Sequence, residues 1–278
     1  FHGKGMVGFR QTARSTWYAS GYENTKIWSG SEIDPTNEAL PFKDWSIKTT
    51  DEDNIFPTDI SLDNGQLLSF KQYEYKIDKL LNGTIVTSYS DPDKPKVVTA
   101  INPFIKTSYD FQKKIKIVHT VVNYDNLYLP TKSTTDVNEG FAITTSEIGY
   151  NAPVTTMGNY SIGKPMWKKE TVQAYGDTKG AKEEYTYTGS LLTKKRTFDR
   201  NNSDYIDETY DYDGFGNVVQ KKIENPYNND LVQAAITKSQ YDDKGRFVIK
   251  KTDNLGLETN ITYNNWGQVL TQTDPLGN

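Results

Sequence analysis

A tyrosine followed four residues later by a glycine recurs near the C-terminal end of the chain. The copies are Tyr212-Asp-Gly-Phe-Gly216, Tyr241-Asp-Asp-Lys-Gly245 and Tyr263-Asn-Asn-Trp-Gly267. A second motif, Thr-Asp-x-Leu-Gly, occupies Thr252 to Gly256 and Thr273 to Gly277. The tyrosines are spaced by 29 and 22 residues, and the second motif recurs after 21. Recurrence at ~20–50 residues marks an array of like supersecondary units, none of which buries its apolar face alone. The pattern therefore constrains architecture first and turns the functional question towards what a repetitive surface encloses or touches.

One unit reads directly into local structure. In Tyr241-Asp242-Asp-Lys-Gly245, aspartate side chains accept from nearby backbone amides, and glycine supplies the positive φ of a tight turn. Arg246 to Thr252 is rich in β-branched and aromatic residues and predicts a strand. Asp253-Asn-Leu-Gly256 predicts a second turn. Leu257 to Tyr263 predicts a second strand, with Leu257, Thr259, Ile261 and Tyr263 on one face. Each unit is thus two short strands and two turns, marginal alone and stabilised by stacking on its neighbours.

Tyr-Asp-x-x-Gly-Arg, a short strand, Thr-Asp-x-x-Gly and a further strand resemble the YD repeat of the RHS proteins. Tyr241 to Gly256 matches that pattern nearly position for position. Tyr212 to Asn217 and Tyr263 to Gln268 match with one or two substitutions. Weaker copies stand at Tyr187-Thr-Gly189, and at Tyr124-Asp-Asn-Leu-Tyr128 with Asp136-Val-Asn-Glu-Gly140. Ile162-Gly-Lys-Pro165 resembles the short segment that leads into a unit in this family. Gly3-Lys-Gly-Met-Val-Gly-Phe9 resembles the glycine-rich stretch before the YD region of insecticidal-toxin relatives. The resemblance implies a β-strip spiralling into a hollow shell, which encloses a C-terminal toxic polypeptide in bacterial members and supports adhesion in animal cell-surface relatives. The repeat positions it singles out are Tyr212, Asp213, Gly216, Tyr241, Asp242, Gly245, Arg246, Asp253, Gly256, Tyr263, Gly267, Asp274 and Gly277.

The rest of the composition narrows the class. The chain has 278 residues, 35% hydrophobic and 13% aromatic with 19 Tyr, and its mean hydropathy is −0.73. That aromatic content predicts a folded chain whose strands stay wet. Net charge is −4, and Lys and Arg form no patch beyond pairs such as Lys194-Lys195-Arg196, so no nucleic-acid partner is expected. No apolar run approaches the ~18 residues of a membrane span. With no cysteine, disulfides, thiolate metal sites and cysteine nucleophiles are excluded. The chain opens on Phe1-His-Gly and stops within a repeat, which predicts a piece of a longer polypeptide.

Two regions are expected. Residues 1–150 form an N-terminal β region with irregular loops, in which Trp17, Trp28 and Trp45 anchor long connections. Residues 151–278 form the repeat strip, clearest from about 205. In the first region Arg10 to Tyr18 reads as a strand, residues 66–90 as a hairpin turning at Leu81-Asn-Gly83, and Asp91-Pro-Asp-Lys-Pro95 as a loop. Lys96 to Phe111 and Lys113 to Tyr124 read as strands. Asp230 to Ser239 is the best helix candidate, placed as an insertion that lengthens one repeat.

Catalytic chemistry finds little support. The histidines are His2 and His119, and His119 shares a strand face with Ile115, Ile117 and Val121, as a core residue does. Asp211-Tyr-Asp-Gly-Phe-Gly216 imitates the start of a calcium loop, but Phe215 and Lys222 occupy two ligand positions. No nucleophile elbow or phosphate loop is present, and nothing singles out a carboxylate pair. The expectation is an all-β, antiparallel hairpin-repeat protein forming a curved or spiralling strip. It would be a non-catalytic segment of an exported or cell-surface bacterial protein, without cofactor or metal. Its partners would be the rest of the parent polypeptide and an enclosed passenger, with secretion machinery or another protein covering exposed strand edges. A carbohydrate-binding or adhesive β module is the alternative.

Overall fold

The computed structural model describes residues 8–278 apart from 36, 38, 157–158, 202 and 227–233. His2, most of the Gly3–Phe9 stretch and the first part of the Asp230–Ser239 segment lie outside the described residues. The chain is β throughout, with no α-helix among the described residues; the helical turns are short 3₁₀ pieces at Glu23–Thr25, Glu52–Asn54 and Asp91–Lys96. The last corrects the loop expected at Asp91–Pro95: proline fixes a helical φ and tolerates a 3₁₀ turn while still blocking a ladder. Two units are present, one comprising residues 1–146 with 172–178, the other residues 147–171 with 179–278.

The first unit holds β1 (Gln11–Ser15), β2 (Ile27–Asp34), β3 (Leu40–Lys48), β4 (Leu67–Leu81), β5 (Thr84–Ile85), β6 (Val97–Asp110), β7 (Ile115–Tyr124), β8 (Pro130–Val137) and the start of β9 (Ala142–Tyr150). Antiparallel pairing runs β1–β2–β3–β4–β6–β7–β8, with β5 turned back on the end of β4. The β4–β5 turn is Asn82-Gly83, both at positive φ (52° and 80°), the geometry of a tight hairpin turn.

The core of this unit lies on one sheet face. Trp45, Ile47, Leu67, Phe70 and Phe111 are buried together, and Ile60 and Leu62 from the β3–β4 connection close over them. Register explains the cluster, since Trp45 opposes Phe70 and Ile47 opposes Leu67. Trp45 also opposes Gly30, where an added Cβ would stand 2.2 Å from the indole. The glycine is thus a seat for the ring. Of the three tryptophans expected to anchor long connections, Trp45 does so from β3: its Nε1 donates to Ile55 O of the β3–β4 connection at 2.8 Å and its ring meets Phe56. Trp28 lies in β2 and packs against the core, while Trp17 is 96% exposed. Irregular spacing in residues 1–60 conceals strands that a long loop later covers. One carboxylate is buried nearby: Glu32 pairs with Arg10 and Lys43, each at 3.2 Å.

The second unit contains β10 (Val154–Thr156), β11 (Asn159–Ser161) and most of β12 (Pro165–Ala174) and β13 (Asp177–Thr188). There follow β14 (Leu191–Phe198), β15 (Tyr205–Tyr212), β16 (Val218–Glu224), β17 (Ala235–Tyr241), β18 (Val248–Thr252), β19 (Glu258–Tyr263) and β20 (Val269–Thr273). From β13 to β20 every strand pairs antiparallel with the next in sequence. Ala235 to Ser239, part of the helix candidate, is strand. Its Ala pair supplied little propensity, and the ladder to β16 decides the conformation. Among the described residues of this unit only Asp207 and Ile261 are buried. The strip is held by ladder hydrogen bonds, turns and ion pairs, with almost no apolar core.

Candidate functional site: the repeat turns and their staples

The repeat positions converge on one recurring device. At Asp213, Asp253, Asn264 and Asp274 the side-chain Oδ1 accepts from the backbone N–H two and four residues on, at 2.8–3.0 Å. The same residue's N–H donates to the carbonyl four residues on and its own carbonyl accepts from the glycine N–H, at 2.9–3.1 Å. Four backbone N–H groups of each turn are thus satisfied within the turn itself, which lessens its need for support from a core. Gly216, Gly245, Gly256, Gly267 and Gly277 take φ between 66° and 87°, a region open to glycine at no cost. Asp242 makes the same turn one residue longer, closing on Phe247 at 2.9 Å, with Oδ1 accepting from Arg246 and Phe247. Backbone donors hold the Asp242 and Asp274 carboxyls below the usual range; at Asp213, burial opposes the shift but its amide donors outweigh it. Arg246 lies against Asp242 at 3.6 Å and over the Phe247 ring.

Asp125 in the first unit builds an identical turn, accepting from Leu127 and Leu129 at 2.8 and 2.9 Å. Tyr128 stands in the glycine position at φ 60°. Its hydroxyl donates to Asp78 at 3.0 Å, a bond that offsets strain a glycine would avoid.

The tyrosine that opens each motif follows a register shift. The shift falls just before Tyr75, Tyr124, Tyr187, Tyr212, Tyr241 and Tyr263. The bulge turns the ring back over the preceding strand. There the Tyr212 hydroxyl donates to Leu192 O at 2.6 Å, Tyr263 to Val248 O at 2.9 Å and Tyr75 to Pro41 O at 3.0 Å. Tyr124 reaches Pro103 O in the same way. Tyr263 also stacks on Phe247, centroids 4.9 Å apart. Tyr263→Phe keeps the stack and removes the hydrogen bond, and should cost about 0.5–1.5 kcal/mol. Urea unfolding measures this; an unchanged midpoint would remove the phenol from the list of stabilising groups.

Motif spacing does not reveal the contacts between units. An added Cβ at Gly245 would lie 2.5 Å from the Phe215 ring, and at Gly267 2.6 Å from Phe247. Asn217 Nδ2 donates to Gly245 O at 2.8 Å across the same junction. Sequence reasoning treats each glycine as a turn residue alone. The hint in the sequence is the aromatic at Phe215, repeated as Trp266.

The strip's faces are polar and paired. One face carries Lys195 on Glu183 at 2.7 Å and Lys221 on Glu208 at 2.6 Å, with Tyr210 donating to Glu208 at 2.9 Å. Burial and that bond push Tyr210 up to about 12, and the Lys221 bond holds Glu208 below its ordinary value. On the other face, buried Asp207 receives Arg196 at 2.8 and 3.0 Å and Lys194 at 2.7 Å, while Arg196 stacks on Tyr205. Burial raises the Asp207 carboxyl, but its three donors outweigh it and hold it low.

No group of His, Asp or Glu side chains suited to a metal ion occurs among the described residues. In the calcium-like segment, Asp213 is occupied by its own turn and Asp211 accepts from Gln220 at 2.7 Å. His119 hydrogen-bonds Thr135 at 3.0 Å across β7 and β8. A shallow depression of about 420 Å³ over β15–β18 is lined by Asp211, Gln220, Lys238 and Lys250, and Lys250 is paired with Glu258. No helix among the described residues is long and apolar enough to cross a membrane.

Antiparallel hairpins closed by Asp/Asn-x-x-Gly turns, with tyrosines such as Tyr212 and Tyr263 pinned to the preceding strand, define an all-β repeat protein. Residues 241–278 match the family model described as RHS Repeat, so this C-terminal stretch of the chain carries an RHS repeat. It matches none of the curated proteins with which it was compared.

Proposed function

We propose that the chain is a non-catalytic wall segment of an exported RHS-repeat protein, part of a β-shell that encloses a C-terminal toxin or other passenger. The observation that carries this reading is the build of the β13–β20 ladder. Both faces present hydrogen-bonded, ion-paired side chains, and only Asp207 and Ile261 are buried among the unit's described residues. A strip made this way folds without a second layer. Its ion-paired faces stay folded while wetted on both sides, as a wall between cargo and solvent must. The test is limited proteolysis of the natural full-length protein. The C-terminal polypeptide should resist digestion until the strip is unfolded; digestion as fast as that of the freed polypeptide would end this reading.

An adhesive or carbohydrate-binding role has one observation in its favour, the exposure of Trp17 (96%) and Tyr22 (63%) in the first unit. Exposed aromatics offer sugars a stacking surface. A glycan-array signal abolished by Trp17→Ala would favour that reading.

A further inference from the structure

We propose that Asn82 is a self-modification site, where the Gly83 backbone nitrogen attacks the Asn82 carboxamide and converts the residue to aspartate and isoaspartate. Three dipeptides in the chain set a side-chain carbonyl carbon beside the unhindered nitrogen of a glycine: Asn64-Gly65, Asn82-Gly83 and Asp213-Gly214. As sequence they look alike. They differ in what holds the side chain.

Asn64 is locked. Its Nδ2 donates to Asp59 O at 2.8 Å, and its Oδ1 accepts from the backbone N–H of Gln66 at 3.0 Å and of Leu67 at 3.4 Å. Leu67 is 2% exposed and belongs to the core, so turning the Asn64 carboxamide towards Gly65 N would disturb the start of β4. Asp213 is held by Phe215 and Asn217 in its own turn, and an ionised carboxylate is a poor electrophile besides. Asn82 has no such restraint. It and Gly83 are exposed at the tip of the β4–β5 hairpin, and its carboxamide has no hydrogen-bond partner among the described residues. Nothing lies within 4 Å of the Gly83 Cβ position, so the nitrogen is sterically open. Ring closure requires Asn82 to leave its left-handed turn conformation, φ +52°. The hairpin allows this, because β5 pairs only through Leu80 with Ile85 and Leu81 with Thr84, with one further bond from Val86 N–H to Lys79 O. So short a ladder opens far more readily than a core strand.

The reaction balances with water alone. Hydroxide takes the Gly83 amide proton, the nitrogen bonds to Asn82 Cγ, and the Cγ–Nδ2 bond breaks. The nitrogen leaves as ammonia, taking a proton from water and restoring hydroxide. Water then opens the succinimide at either carbonyl, giving aspartate or isoaspartate. Both products place a negative charge at the tip. The isoaspartyl form also lengthens the turn by one backbone atom, which ends the tight match of Leu81 with Thr84. The reaction needs no enclosed passenger, so it stands or falls apart from the wall reading.

The test is incubation of the 278-residue chain in mildly alkaline buffer, folded and in concentrated urea. Mass spectrometry and isoaspartyl-methyltransferase labelling then follow the peptides bearing Asn64 and Asn82. In the folded chain Asn82 should convert at least about tenfold faster than Asn64, the factor to which one well-placed hydrogen bond corresponds. In urea the two rates should converge, since both are then bare Asn-Gly pairs. Equal rates in the folded chain overturn the proposal, as does an Asn82 that converts in urea but not in the folded chain. A difference that persists in urea overturns it as well, by tracing the selectivity to neighbouring sequence rather than to the hairpin.

Discussion

Asp207→Ala should lower the stability of the second unit by about 1.5–3 kcal/mol, the range for hydrogen bonds to charged groups, since Arg196 and Lys194 are 26% and 34% exposed and keep part of their hydration. The carboxylate is 3% exposed and accepts from both Arg196 and Lys194. Its removal strands two cations in a strip that has little apolar burial to compensate. Asp207→Asn should cost less, because the amide oxygen still accepts one bond. The pH dependence follows in sign. The folded-state pKa of Asp207 is depressed, as are those of Glu183 and Glu208. Such groups contribute stability that is fully present above their unfolded values, near 4, and lost as pH falls through the folded ones. Thermal midpoints should therefore hold at neutral pH and fall below about pH 4. In Asp207→Asn that acid-side fall should be shallower; equal slopes for the two proteins would show that the triad contributes nothing to acid sensitivity.

Gly245→Val should cost about 2–5 kcal/mol, from two separate causes. The backbone φ of +66° is strained for a β-branched residue, and the new side chain collides with the Phe215 ring. Gly256→Val is the control. Its φ is +82° but nothing lies within 4 Å of the new Cβ, so only the backbone cost of about 1–3 kcal/mol remains. Adding Phe215→Ala to Gly245→Val should recover the steric part. The double variant would then approach Gly256→Val in urea midpoint. If the two single glycine variants lose equal stability, the ring contact has no energetic weight.

The local level of this structure was legible in the chain. Tyr241 to Gly256 spells a turn, a strand and a second turn because the devices involved are short-range. Aspartate reaches amides within four residues, glycine takes a conformation other residues avoid, and β-branched runs extend. The weak copy at Tyr124–Tyr128 was legible for the same reason, although Tyr128 replaces the glycine. Less legible was the first unit. Trp28 and Trp45 lie in strands without a repeat to announce them, and their core forms only when Ile60 and Leu62 fold over the sheet. Such closure is set by contacts distant in sequence, which spacing does not encode. The helix considered at Asp230–Ser239 failed for a related reason: a weak local preference at Ala235–Ser239 yields to the backbone bonds offered by β16.

By itself, then, the sequence determined the β class, the hairpin unit and the residues of its turns, because each rests on interactions within a few positions. Tertiary structure decided which side chains those turns meet. The Phe215 ring on Gly245, the three-donor clamp on Asp207 and the tyrosine hydroxyls on carbonyls of the preceding strand all depend on the register between strands. Register is a property of paired backbones, and here the bulge before each tyrosine resets it.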